Sequence, residues 1–201
     1  MIKRKLSALD KHMDRLNSLN SSQNTGNQLG KYEIHDAANY GFYGSVLMFL
    51  GFIPFIGGFL LFIGFILILI ALNDFSKIFN NKYIFENALY AVVAGIIISI
   101  LVITVAPLGI FSGHITSTII VVFILIYIAS ITSGYFYRNV YSSLADNIKN
   151  NLGNISNEEF QKASSWYWYG GLTTIILIGV IFILIADIYA LLGYRELSKT
   201  Y

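Results

Sequence analysis

Hydrophobic and polar positions in this chain do not alternate. Apolar residues gather into long runs parted by short polar stretches: Tyr40 to Leu72, Ala88 to Pro107, Ile115 to Tyr137, and Trp166 to Tyr194. Continuous runs of this length predict helices that bury in hydrocarbon, and they exclude a transmembrane barrel, whose strands alternate. The first run holds no charged residue and would extend roughly 50 Å as one helix, well beyond a hydrocarbon core of about 30 Å. It needs a break, and "GFIPFIGG" supplies one. Pro54 lacks an N–H donor and disfavours helix at Ile53, while Gly57 and Gly58 tolerate positive φ. The pattern therefore predicts a helical hairpin, set against one long Pro-kinked helix or a hairpin that only dips into the membrane.

The fold read from this pattern is an all-α polytopic transmembrane bundle of about five spans, including the N-terminal hairpin. The spans fall at about 36–53, 57–73, 88–106, 115–137 and 166–193 of a transmembrane domain covering 36–201. A second hairpin in the last run, bent near Gly179, would add a sixth, but arms of roughly 20 Å are too short to cross. Composition agrees with a membrane class: 56% of the 201 residues are hydrophobic and 12% charged, about half the charge of a soluble domain.

Charge then orients the spans. Lys3, Arg4, Lys5, Lys11, Arg15 and Lys31 precede the first span, Lys77 and Lys82 follow the second, and Arg138, Lys149 and Lys162 follow the fourth. The positive-inside rule places the N-terminus and the 73–87 and 138–165 segments in the cytoplasm, in a multi-pass protein of the cell membrane. Arg195 and Lys199 disagree, because five spans put them outside. Trp166, Tyr167, Trp168 and Tyr169 at the start of the last run, and Tyr135 to Tyr137 at the end of the fourth, suit the headgroup level.

Residues 1–20 read as an amphipathic cytoplasmic helix, with Ile2, Leu6, Leu9, Met13 and Leu16 on one seam. That pattern fits a membrane-surface helix, an oligomer or partner contact, or a loosely ordered arm. Residues 21–35 read as a flexible linker.

Candidate chemistry is sparse. The chain has no cysteine and three histidines, with no zinc motif, phosphate loop or nucleophile elbow. No catalytic, cofactor or metal residues are expected. A net charge of +2 gives no case for nucleic acid. Asp187 is the ionisable residue inside a span, and such residues are often paired or functional. A five-span path puts it in the outer third, at a depth similar to His114, so a polar contact between Asp187 and His114 is a candidate. Small residues recur every four positions at Ala91, Gly95 and Ser99, at Ala129 and Ser133, and at Ser130 and Gly134. That spacing lets helices approach closely, here the third and fourth spans against each other, with oligomerisation as a further use.

"GSVLMFLGFIPFIGGFLLFIGFILILIALNDFSKIFNNKYIFENAL", "YFYRNVYSSLADN" and "YGGLTTIILIGVIFILIADI" together resemble an uncharacterised family of prokaryotic integral membrane proteins, domain of unknown function 996, from about Asp36 to Leu197. The resemblance implies fold and location and carries no catalytic residues. "LIALNDFSK" and "YALLGYRELSK" also echo one another. The expected role is a non-enzymatic integral membrane protein in contact with lipid: an accessory subunit of a larger membrane complex or a self-assembling homo-oligomer. The alternative is a small solute transporter or channel, using Asp187, His114 and hydroxyls such as Thr116, Ser117, Thr118, Thr173 and Thr174.

Overall fold

The computed structural model describes residues 30–51, 53–153, 155–174 and 178–200. These residues are helical, with no strand among them: α1 (30–50), α2 (Gly57–Ile78), α3 (Lys82–Phe111), α4 (Ile115–Leu152), α5 (Asn157–Thr173) and α6 (Ile178–Thr200). Four of them, α2, α3, α4 and α6, are long and apolar enough to cross a membrane. The 1–20 arm lies outside the described residues. The linker expected at 21–35 is helical from residue 30 onward.

The helices form three antiparallel hairpins. In the first, α1 ends at residue 50, and Phe55, not a glycine, takes the left-handed conformation (φ 70°). Gly57 opens α2 instead, because a Cβ there would strike the Gly51 carbonyl. The arms then close on each other where Gly44 meets Gly64, each leaving room for the other's backbone.

The polar stretches are not loops. α2 runs on to Ile78, the chain reverses over three residues with Asn80 at φ 48°, and the Asn81 carboxamide caps α3 by accepting from the Tyr83 N–H (3.1 Å). α3 continues through Pro107 to Phe111, so the freed acceptor falls near the helix end. α4 extends for 38 residues, roughly 57 Å, and carries most of the segment expected as the 138–165 loop.

The expected single span at 166–193 is corrected. The run divides between α5 and α6, which fold back on one another: Phe160 meets Tyr194 (ring centroids 5.0 Å) and Ser156 donates to Glu196 (3.3 Å). Gly179 is needed at this reversal, since a Cβ would strike the backbone of Thr174 and Gly170. The C-terminus therefore returns to the end from which α5 started. Lys31, Lys77, Lys82, Arg138, Lys149, Lys162, Arg195 and Lys199 all belong to that one end, and the conflict over Arg195 and Lys199 disappears.

The core sits at this charged end too. Phe75, Leu72, Ile84, Leu144, Tyr141, Ile148, Phe160, Tyr194 and Leu197 are fully buried, from five helices. Toward the opposite end burial thins out. On α3, Gly109 alone is buried beyond Ala91. On α4, nothing is buried before Gly134.

Candidate functional site

The polar feature inside the apolar runs is built where α4, α5 and α6 meet. The Tyr167 hydroxyl of α5 donates to the Asp187 carboxylate of α6. These residues are twenty apart and meet because the α5–α6 reversal lies midway between them. Tyr167 stacks on two α4 rings, Tyr137 at 5.1 Å and Tyr141 at 5.2 Å. Tyr141 in turn packs edge-on against Tyr194 (6.4 Å), which stacks on Phe75 of α2 (6.2 Å). A hydroxyl on a ring fixed by stacking loses little further freedom on donating to the carboxylate, and a charge leaving water needs such a partner.

Two cavities flank the pair. One of about 190 Å³ is lined by Met48, Phe49, Leu61, Val180, Ile183, Leu184 and Asp187. The other, about 210 Å³, is lined by Ala129, Ser130, Ser133, Gly134, Tyr137, Tyr167 and Ile183. Tyr167 and Ile183 stand on the wall of the second, and Asp187 on the wall of the first. A third cleft of about 520 Å³ lies at the charged end, between Glu33, Asp36 and Tyr40 of α1 and Asp74, Lys77 and Ile78 of α2.

The level of the pair follows from its neighbours. Arg138 lies over the Trp168 ring (5.4 Å), and Trp168 meets Tyr135 edge-on (6.3 Å). This is a girdle of the type found at a membrane–water interface. Asp187, bonded to Tyr167 next to Trp168, stands at the level of these rings. His114 precedes α4 in the α3–α4 turn, where its carbonyl accepts from Thr118 and Ser117. From His114 to Tyr137 the helix rises roughly 34 Å. The structure does not bring Asp187 and His114 together.

The small-residue positions divide as well. Ala91 is buried, but a Cβ on Gly95 would meet nothing within 4 Å, and Ser99 is exposed. On α4 the small residues face α5, not α3: a Cβ on Gly134 would lie 2.7 Å from the Tyr167 carbonyl, and one on Gly171 would lie 2.6 Å from the Ser130 carbonyl. α3 and α4 meet elsewhere, through Tyr90 with Phe136 (5.6 Å), Asn139 with Asn87 (3.5 Å) and Gly109 against Thr118. Among the described residues no group of three His, Asp or Glu side chains is placed to hold a metal ion.

The model of a family described as "Protein of unknown function (DUF996)" matches residues 60–188, from α2 to the middle of α6. The chain belongs to the DUF996 family. The matched segment contains both halves of the Tyr167–Asp187 pair and the whole α3–α4 hairpin. An uncharacterised protein of Methanocaldococcus jannaschii is 31% identical over 176 residues, covering 83% of this chain and 94% of its own length. No solved structure matches. The resemblance read from the apolar motifs thus holds at the level of the family, whose function is unknown.

Proposed function

We propose that this DUF996 protein is a non-enzymatic integral membrane protein. In this reading it is an accessory subunit of a larger membrane complex, or a component that assembles with copies of itself. The carrying observation is the bare α3–α4 hairpin. The most apolar stretch of α3 is 11% buried within the chain and that of α4 is 0% buried. Surface of that extent is stable only against lipid or apolar helices. The clustering of Lys and Arg at one end supports a cytoplasmic charged end and a cytoplasmic N-terminus in the cell membrane.

A small transporter or channel is the second reading, favoured by the cavity that Asp187 borders. The scattered hydroxyls weigh against it. Thr104, Thr118, Thr173 and Thr174 each donate to a carbonyl four residues back on their own helix, and Ser117 to one three back. Groups satisfied in this way do not compose a polar path.

Purification in mild detergent followed by mass measurement tests the proposal. A stoichiometric partner or a defined homo-oligomer supports it. A species that moves solute across liposomes, with loss of flux in Asp187→Asn, replaces it with the second reading.

A further inference from the structure

The three hairpins do not reach the same depth. Gly171 of α5 packs against Ser130 and Gly134 of α4, so α5 ends near the level of residue 129. α4 continues for another fourteen residues to Ile115, roughly 20 Å further. The α1–α2 hairpin is short too. α1 runs beside α6, with Gly41 against the Tyr194 ring, and nearer the tip Met48 and Phe49 of α1 and Leu61 of α2 line one cavity with Val180. Gly57, one turn before Leu61, therefore lies level with the α5–α6 reversal.

Turn chemistry separates the same three hairpins. The α3–α4 turn carries Ser112, Gly113 and His114, followed by Thr116, Ser117 and Thr118. The α1–α2 turn carries Ile53, Pro54, Phe55 and Ile56, all exposed, with exposed Phe59 and Phe62 just beyond. Four of its donors are satisfied within the turn: the N–H groups of Gly51, Ile53, Ile56 and Gly57 donate to the Met48, Leu50, Pro54 and Ile53 carbonyls, and Pro54 has no N–H to satisfy. The α5–α6 reversal reads "TTIILIG", again without charge. Donors must be satisfied internally wherever backbone meets hydrocarbon.

The dimensions then determine the depth. A hydrocarbon layer of about 30 Å measured from Ile115 covers about twenty residues and ends near Tyr135, at the Arg138–Trp168 girdle. Within that layer α3 and α4 expose Ile96, Ile97, Ile100, Ile103, Ile119 and Ile124. Placing the short tips at the far interface instead would push Ile100, Ile103, Ile119 and Ile124 into water.

Resting on the membrane reading above, we propose that the α3–α4 hairpin alone crosses the bilayer, while α1–α2 and α5–α6 re-enter from the charged side and stop within it. Six helices occupy the leaflet at the charged end and two the opposite leaflet, where acyl chains cover the bare part of the long hairpin.

The chain has no cysteine, so single cysteines report position directly. Ser112→Cys marks the α3–α4 turn, Ser143→Cys the charged end, and Gly58→Cys the α1–α2 tip, where an added Cβ meets nothing within 4 Å. Membranes carrying the full chain are first washed with alkaline carbonate, then treated with an impermeant maleimide from each face. The expected result is retention in the membrane, labelling of Ser112→Cys from outside and Ser143→Cys from inside, and background labelling of Gly58→Cys from both faces. A fluorophore placed at Gly58→Cys after detergent exposure and returned to brominated lipid should be quenched most by mid-chain bromines. Labelling of Gly58→Cys from outside to the same extent as Ser112→Cys, or strongest quenching by bromines next to the headgroup, overturns the inference while leaving a membrane protein. Release by carbonate overturns the membrane reading itself.

Discussion

Tyr167 and Asp187 form a hydrogen-bonded pair between α5 and α6, and the Tyr167 ring stacks on both Tyr137 and Tyr141 of α4. Removing the donor leaves a partly buried carboxylate without its partner. Tyr167→Phe should lower thermal stability in detergent by about 1–3 kcal/mol. In the Asp187→Asn background the same change should cost less, because the amide oxygen is a weaker acceptor and carries no charge. Equal losses in both backgrounds would mean that the pair contributes nothing.

The contrary expectation holds for His114 and Asp187. Separated by most of the length of α4, they share no neighbour. The effects of His114→Gln and Asp187→Asn should add to within about 0.5 kcal/mol in a double-mutant cycle on melting temperature. Coupling larger than that would return the contact between them to consideration.

Glycines on α4 and α5 separate close packing from open surface. In Gly171→Ala the new methyl would meet the Ser130 carbonyl at 2.6 Å, so the helices must part, at about 1–3 kcal/mol. Gly95→Ala, on the bare stretch of α3, meets nothing within 4 Å. It should be neutral or raise stability by up to about 1 kcal/mol through helix propensity. Paired thermal melts of the two variants check both signs.

Three hairpins return the chain to its starting side. A protease-cleavable tag after Tyr201 should be cut from the same face of sealed vesicles that admits label to Ser143→Cys. Cleavage from the face that labels Ser112→Cys would restore an odd number of crossings.

Hydropathy alone located the apolar runs, the helical class and the clustering of charge, because each depends on how single residues partition between water and hydrocarbon, and the backbone limits of Pro54 located the break. The echo between "LIALNDFSK" and "YALLGYRELSK" was also legible, and it falls on the second arms of the two short hairpins. The division of the last run near Gly179 was legible only as an alternative, set aside because the arms counted within the apolar run were too short; α5 starts at Asn157 and α6 ends at Thr200, both beyond that run. No proline marks it, and the reversal depends on Gly170 and Gly179 accepting each other's backbone, a contact formed only after the chain has folded back. The partner of Asp187 was hidden for the same reason. On one straight helix Tyr167 would stand roughly 30 Å away, and the fold-back brings the two side chains together. Hydropathy measures preference for a solvent and carries no register between helices. Which small residues touch and which hydroxyl meets the carboxylate were settled by packing among α4, α5 and α6.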